Sequence, residues 1–503
     1  MSLPITDQSI KERCARLAQL IADNLAARQT PDGNFKLPEF YAKAFAINLW
    51  TRIDPAKYAK NIRRAWTALT SEAQGKRYHR EFIEYALLST PGMNEEKLRQ
   101  VLCTAPKQSP DVANWQVLGL INRQMRCGTA GTRAINFAHD MLIRARYWRS
   151  PLFLDRPNCF SSQYHAFCAA LFSDSNAPSQ WRLGKMATKL LAELSGTHGY
   201  SNLLGRGAGQ SFGVVCTLFA LQKHGYTQQA EAILFRLEDA FLQAGEMPLN
   251  LLAPNPLPDE PGPANPETPG WYSYNRHDDY LAFAGYWLCR TAELPDTKRD
   301  NPATPQACDN KRLLVVSTPF YQTQMACRGR EVFDFSPAPV VMSGQAESAQ
   351  ILLPPTGGEQ DHQSLYDAAS VPLPAIGNTE FSRIFRMRKL SQNQAQIDFK
   401  LGGANGIRTI TCNPSEITIQ DRWKHPEDQK ADLFRILIDG RIKLVQTSAN
   451  TISASDLGVT FSADAELKLE PNGSFSAAGP ANRITAPASV NATLKILWEN
   501  ADA

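Results

Sequence analysis

The apolar residues of this chain change their period near residue 300, and one layer of secondary structure cannot absorb such a change. Before that point they recur at steps of three and four, the spacing of a helix with one buried face. In residues 10–27, Ile10, Cys14, Leu17, Ile21 and Leu25 form one stripe, and Thr30-Pro31-Asp32-Gly33 ends it as a turn. Similar segments follow near 37–51, 55–70, 78–89, 94–104, 111–126, 131–147, 160–173, 178–194, 209–224, 227–243 and 277–293. After about residue 305 the period is two. Segments 312–317, 395–400, 407–411, 416–420, 434–438 and 492–497 read as strands, separated by turns such as Asp439-Gly440 and Pro471-Asn472-Gly473.

About twelve helices make six antiparallel hairpins, the number that closes an (α/α)6 toroid. An open α-solenoid is the alternative, although no fixed repeat period is present. More than ten short strands without intervening helices imply an antiparallel β-sandwich. The expected division is therefore a helical toroid over 1–295, a polar, proline-bearing linker over 296–311 and a β-sandwich over 312–503. A chain of 503 residues is long enough to give each part its own core.

Charge narrows the function classes. Lys and Arg number 53 against 49 Asp and Glu, a net charge of +4. A dedicated nucleic-acid binder carries a larger basic excess, so nucleic acid is not an expected partner. No apolar run reaches the roughly 18 residues of a membrane span, so no membrane partner is expected. The N-terminus has neither a basic n-region nor an apolar h-region, which leads to a cytoplasmic expectation, or a periplasmic or secreted one if a leader has been removed. The 10 cysteines are scattered, without a C-x-x-C pair, as expected of buried reduced thiols. No H-x-x-x-H, H-E-x-x-H or Cys/His pairing occurs, so no metal is expected. The oligomeric state is left open.

Three segments concentrate chemistry. Residues 248–270 hold eight prolines, which cannot continue a helix, so they read as a long loop, either a lid or a disordered segment. The loop runs into Trp271-Tyr272-Ser273-Tyr274-Asn275-Arg276-His277-Asp278-Asp279-Tyr280. Asp278 or Asp279 can cap the helix that follows, but capping does not account for Tyr, Arg, His and Asn gathered in one place. Aromatic walls and planar polar groups suit a sugar, and Arg or Asn suits its carboxylate. The second segment is Thr197-His198-Gly199-Tyr200-Ser201-Asn202-Leu203-Leu204-Gly205-Arg206-Gly207-Ala208-Gly209-Gln210-Ser211-Phe212. Its glycines read either as a tight turn or as backbone approaching a ligand, with Arg206 and Gln210 facing a cavity. No strand precedes it and no Lys-Ser/Thr follows, which argues against a nucleotide loop. The third runs from Asn158 to Leu171 and contains Gln163-Tyr164-His165-Ala166-Phe167-Cys168, where His165 opens an apolar helix either as a site histidine or, as a lone His more often is, a satisfied core residue. Glu246 and His224 are weaker candidates.

The helices-then-strands order, together with Gln163-Tyr164-His165-Ala166-Phe167-Cys168-Ala169-Ala170 and Arg206-Gly207-Ala208-Gly209-Gln210-Ser211-Phe212, resembles the toroid-plus-sandwich polysaccharide lyases, the group of alginate, chondroitin and heparinase II/III-type enzymes. Ser162-Gln163 stands where those enzymes carry asparagines, and Gln210-Ser211-Phe212 where a Tyr-His pair often lies. The resemblance implies β-elimination on a uronic-acid-containing glycan, without cofactor or metal. In that scheme Tyr274, His277, Arg276, Asn275 and His165 are the catalytic candidates. Arg206, Gln210, Tyr200, His198, Trp271, Tyr272 and Tyr164 are the substrate-binding ones. Two other classes stay open. A glycoside hydrolase would use Asp278 or Asp279 with Glu246, and a non-catalytic protein would bind glycan without acid–base chemistry.

Overall fold

The computed structural model describes residues 8–72, 79–102, 111–126, 128–156, 159–256, 277–295, 311–327, 338–344, 346–356, 372–377, 379–424, 430–488 and 490–499. The linker at 296–310, most of the proline-rich loop, and the candidates Trp271, Tyr272, Tyr274, Asn275 and Arg276 lie outside the described residues.

Twelve α-helices occur among the described residues: α1 (Ile10–Arg28), α2 (Ala42–Ile53), α3 (Ala59–Ser71), α4 (Arg80–Leu88), α5 (Glu95–Leu102), α6 (Ala113–Met125), α7 (Ala130–Tyr147), α8 (Ser162–Ser173), α9 (Pro178–Ser195), α10 (Ser211–Lys223), α11 (Thr227–Ala244) and α12 (His277–Ala292). Between α7 and α8 a small hairpin pairs β1 (Trp148–Arg149) with β2 (Leu152–Phe153). The even-numbered helices pack in the order α2–α4–α6–α8–α10–α12, and α12 returns to α2, closing a ring. The odd-numbered helices cover it from outside, each on the inner helix before it, with α1 across α12 and α2. This is the expected (α/α)6 toroid.

Local sequence explains which helices lie inside. α8 (SQYHAFCAALFS) and α10 (SFGVVCTLFALQK) are apolar all round and almost wholly buried, whereas α3 and α5 bury a narrow stripe. Aromatic rings fill the ring's axis. Phe212 stacks on Phe283 at 3.9 Å, Phe167 meets Phe82, Phe212 and Phe283 edge-on or stacked, and Trp287 lies against Phe219 and Tyr85. The ring is therefore a packed core with two mouths, and not a pore.

The strands that follow are β3 (Leu313–Ser317), β4 (Tyr321–Ala326), β5 (Val340–Ser343), β6 (Gln350–Leu353), β7 (Ala375–Ile376), β8 (Glu380–Phe381), β9 (Arg383–Lys389), β10 (Gln394–Leu401), β11 (Ala404–Asn413), β12 (Glu416–Trp423), β13 (Ala431–Asp439), β14 (Val445–Ser448), β15 (Thr451–Ala454), β16 (Val459–Ala463), β17 (Lys468–Ser476), β18 (Gly479–Ala488) and β19 (Asn491–Trp498). All pairings are antiparallel. They build an eight-stranded sheet, β14-β15-β16-β19-β12-β11-β10-β9, a five-stranded sheet, β17-β18-β13-β7-β8, and a four-stranded sheet, β3-β4-β5-β6.

The eight- and five-stranded sheets share one core with Leu314, Met325, Val341 and Leu352 of the four-stranded sheet. Their neighbours Leu313, Ala326, Val340, Met342 and Ile351 point the other way, into a second core with Leu190, Leu194, Leu203, Leu204 and Leu252 of the helical part. Burial on both faces explains why β3 is a continuous apolar run and not an alternating one. Polar bonds close the same seam. Gln322 Nε2 donates to the Glu193 carbonyl at 2.7 Å and Gln324 Nε2 to that of Leu194 at 2.5 Å, so β4 side chains satisfy carbonyls in the last turn of α9.

Candidate active site at the N-terminal mouth of the ring

Each inner helix is followed by an outer one, so the six inner helices run parallel and begin at the same mouth. Side chains confirm the shared end. His79, before α4, lies against Tyr41 before α2 and Trp115 in the first turn of α6. Tyr164 of α8 meets Phe212 of α10, and Phe212 meets Tyr280 of α12. Six helix N-termini give this mouth a positive electrostatic bias.

Asp279 joins two of these ends. Its carboxylate accepts from the amides of Tyr41 and Ala42, both at 2.7 Å, and of Phe40 at 3.0 Å. It thus caps the start of α2, where Tyr41 has no side-chain cap of its own, and not its own helix as the sequence suggested. Asp278 accepts from Arg28 Nε at 2.6 Å. Burial pushes both carboxyls upward, and nearby Glu39 raises Asp279 further. A hydrolase would need such carboxylates free to reach a glycosidic bond, and these two are committed to the fold. The third member of that set, Glu246, accepts from Asn24 at 3.1 Å.

The glycine-rich segment wraps the start of α8. Gly205, Gly207 and Gly209 have φ of +76°, +81° and +83°. A Cβ on Gly205 would lie 2.4 Å from the Phe160 carbonyl, and one on Gly207 would lie 2.5 Å from the Gln163 amide. At these two glycines the backbone therefore packs against α8, as the tight-turn alternative requires. Asn202 stitches the loop by donating to the carbonyls of Gly207 and Gln210 at 2.9 and 3.0 Å.

Arg206 leaves this loop to pair with Asp155, Nη2 to Oδ2 at 2.6 Å, and its guanidinium lies 4.9 Å from the centre of the Tyr164 ring. Around this group stand buried polar atoms. Gln163 Oε1 and both amide atoms of Gln210 have no hydrogen-bond partner among the described residues, and the same holds for Asp155 Oδ1. Buried amides without partners carry a desolvation penalty of about 1–3 kcal/mol each, which a hydrogen-bonding ligand removes.

The structure thus brings Arg206, Tyr164 and Gln210 to one mouth, with His277 buried at the first position of α12. It places the other histidine candidates elsewhere. His165 is fully buried. Its Nδ1 accepts from the Phe153 amide at 3.0 Å and its Nε2 faces the Ala187 carbonyl at 3.2 Å, so both ring nitrogens serve the core. Burial lowers its pKa to about 4. His198 faces Gln322 of β4 and accepts from the Tyr200 amide at 3.0 Å, with its pKa lowered to about 3 by burial. Tyr200 stacks on His198 and lies under Arg236, 4.2 Å from its guanidinium. Both belong to the seam with the β-sheets. Asp155, the partner of Arg206, escaped the sequence reading because it sits alone in its segment, without a neighbour of its own chemistry. Among the described residues, no group of three or more His, Cys, Asp or Glu is arranged to hold a metal.

No family model matches the chain, and no curated protein does. Solved structures do match. The chondroitin AC lyase of Streptomyces coelicolor A3, in complex with chondroitin sulphate, aligns over 99% of this chain and 80% of its own at 9% identity and a TM-score of 0.48. The heparan sulfate lyase HepC from Pedobacter heparinus aligns over 100% and 78% at 11% identity and a TM-score of 0.41. Heparinase III aligns over 99% and 86% at 10% identity and a TM-score of 0.31. With TM-scores below 0.5, these likenesses carry no weight for activity, which rests on the residues at the mouth.

Proposed function

We propose that the chain is a polysaccharide lyase that cleaves a uronic-acid-containing glycan by β-elimination at the N-terminal mouth of the ring. One observation carries this reading: a guanidinium stacked over a tyrosine, beside buried amide groups without partners, at the converging N-termini of six helices. A sugar carboxylate bound there meets Arg206, the Gln210 Nε2 donor and the helix dipoles, while Gln163 Oε1 can accept from a sugar hydroxyl. Charge that develops on that carboxylate as the C5 proton leaves is held by the same donors.

A base takes the C5 proton. The electron pair becomes the C4–C5 double bond, the C4–O bond breaks, and the departing oxygen takes a proton from a phenol. Tyr164, under Arg206, and Tyr274, in the segment that enters α12, are the two phenols of this reading, and His277 is its base. The commitment of Asp278 and Asp279 to Arg28 and to the α2 amides favours elimination over hydrolysis.

The test is incubation with chondroitin sulfate, alginate and polygalacturonate while following the ultraviolet absorbance of the unsaturated product. Tyr164→Phe or Tyr274→Phe should lower turnover by about 10²–10⁴-fold with the fold intact. New reducing ends without absorbance would establish a hydrolase instead. Binding without either product would establish a glycan-binding protein.

A further inference from the structure

The outward face of the eight-stranded sheet is basic at its β9 edge. β9 reads Arg383-Ile384-Phe385-Arg386-Met387-Arg388-Lys389. Pairing sets Arg388 beside Gln396, Arg386 beside Asp398 and Arg383 beside Lys400. The alternate residues of β10, Ala395, Ile397, Phe399 and Leu401, are in the sandwich core, so these pairs face outward. The rows continue across the sheet, with Ile407 and then Arg422 after Asp398, and Asn405 after Lys400.

Arg383, Arg386, Lys400 and Arg422 are exposed. Asp398, the acid within these rows, is held by Gln396 at 2.6 Å and faces Arg388 at 3.7 Å. Among the described residues, no carboxylate pairs with Arg383, Arg386 or Lys400. The register slips between Asp398 and Phe399, which leaves Phe385 unpaired on a bulge and 62% exposed. It lines an open groove of about 910 Å³ with Arg383, Lys400, Asn405, Ser382 and Glu380.

Cations on an edge strand also discourage pairing with another chain. That role does not require Lys400 and Arg422 on interior strands, nor an exposed aromatic ring in a groove. We propose that this face holds a stretch of carboxylated or sulfated polysaccharide, apart from the mouth of the ring. Charge complementarity selects a polyanion. The flat face of Phe385 and the neutral rows of Gln396, Thr409 and Gln420 suit the C–H faces and hydroxyls of sugars. The chain's near-neutral total of +4 argues against nucleic acid as the occupant. The inference takes its polymer class from the proposed lyase activity, while the binding itself is read separately from turnover.

The experiment is electrophoresis of the full chain through gels containing chondroitin sulfate or polygalacturonate, at two salt concentrations. The wild-type chain should be retarded, more so at low salt. The triple variant Arg386→Gln/Lys400→Gln/Arg422→Gln, and separately Phe385→Ala, should weaken retardation at least about ten-fold with an unchanged melting temperature. No retardation of the wild type by either polymer, or equal retardation of wild type and triple variant, overturns the proposal. So does a DNA duplex that retards the wild type as strongly and loses its hold in the same variants. Retardation without ultraviolet-absorbing product removes the lyase reading and leaves this surface standing.

Discussion

At the scale of single residues, the mouth of the ring is governed by whether a buried polar group has a partner. Arg206 and Asp155 are 12% and 1% exposed at the side chain, so each is the other's compensation. Arg206→Ala leaves Asp155 buried and unbalanced, and the expected loss is about 3–5 kcal/mol in denaturant titrations. Arg206→Lys keeps the charge without the planar fork and should lower affinity for a carboxylated sugar with a smaller stability loss. An Arg206→Ala protein as stable as wild type would show that the pair is not coupled. His165 supplies a pH prediction. Its pKa falls from 6.5 unfolded to about 4 folded, so below pH 6.5 the unfolded chain binds a proton that the folded chain does not. Stability is fully present above pH 6.5 and is lost as pH falls toward 4, by about 3 kcal/mol from this residue. His198 adds a slope of the same sign. His165→Phe, though less stable at pH 8, should show a shallower decline between pH 6.5 and 4.

At the scale of elements, helix ends are satisfied by residues far away in sequence. The first amides of α2 rely on Asp279, well over two hundred residues later. Asp279→Ala should destabilise the protein by about 2 kcal/mol, the upper range for a cap, and speed hydrogen exchange at Phe40, Tyr41 and Ala42. Asp279→Asn keeps an acceptor and should lose less. Exchange at those three amides that stays at the wild-type rate in Asp279→Ala would refute the cap. The glycine-rich loop makes a second test. Gly205→Ala forces a Cβ onto the Phe160 carbonyl at a φ of +76°, so it should displace the loop that carries Arg206 and reduce turnover as well as stability. The twelve helices were legible because their stripes are long and periodic. The capping partners were not, because a cap in trans leaves no local spacing to read.

At the scale of the whole molecule, the four-stranded sheet is the part that makes two domains behave as one. Its outer face shares a core with Leu190, Leu194, Leu203 and Leu252, and Gln322 and Gln324 bind the end of α9. A single thermal transition is expected for the full chain. Gln322→Ala/Gln324→Ala should split or broaden it, because two carbonyls in the last turn of α9 lose their partners. Residues 1–295 expressed alone should aggregate through the same uncovered leucines. A helical part that is monomeric and stable by itself would show that the seam contributes little.

The sequence by itself determined the kinds of element, their order and the change of layer near residue 300, because these follow from hydrophobic spacing over short windows. It also marked the segments that supply Arg206, Tyr164 and Gln210, since glycine, arginine and aromatic residues cluster there. Only the tertiary structure decided which side chains work together. It closed the ring so that helix starts from residues 42 to 277 share one mouth, gave Arg206 its Asp155, and sent His165 and His198 to the core and the seam. It also turned a strand against its own pattern. In Ile407-Arg408-Thr409-Ile410 the arginine goes inward to a fully buried pair with Asp421, and Ile407 is 42% exposed. The physical reason is common to all of these. Burial and pairing are properties of groups brought together over long sequence separations, and a one-dimensional pattern records a residue's own preference but not the partner that the fold supplies.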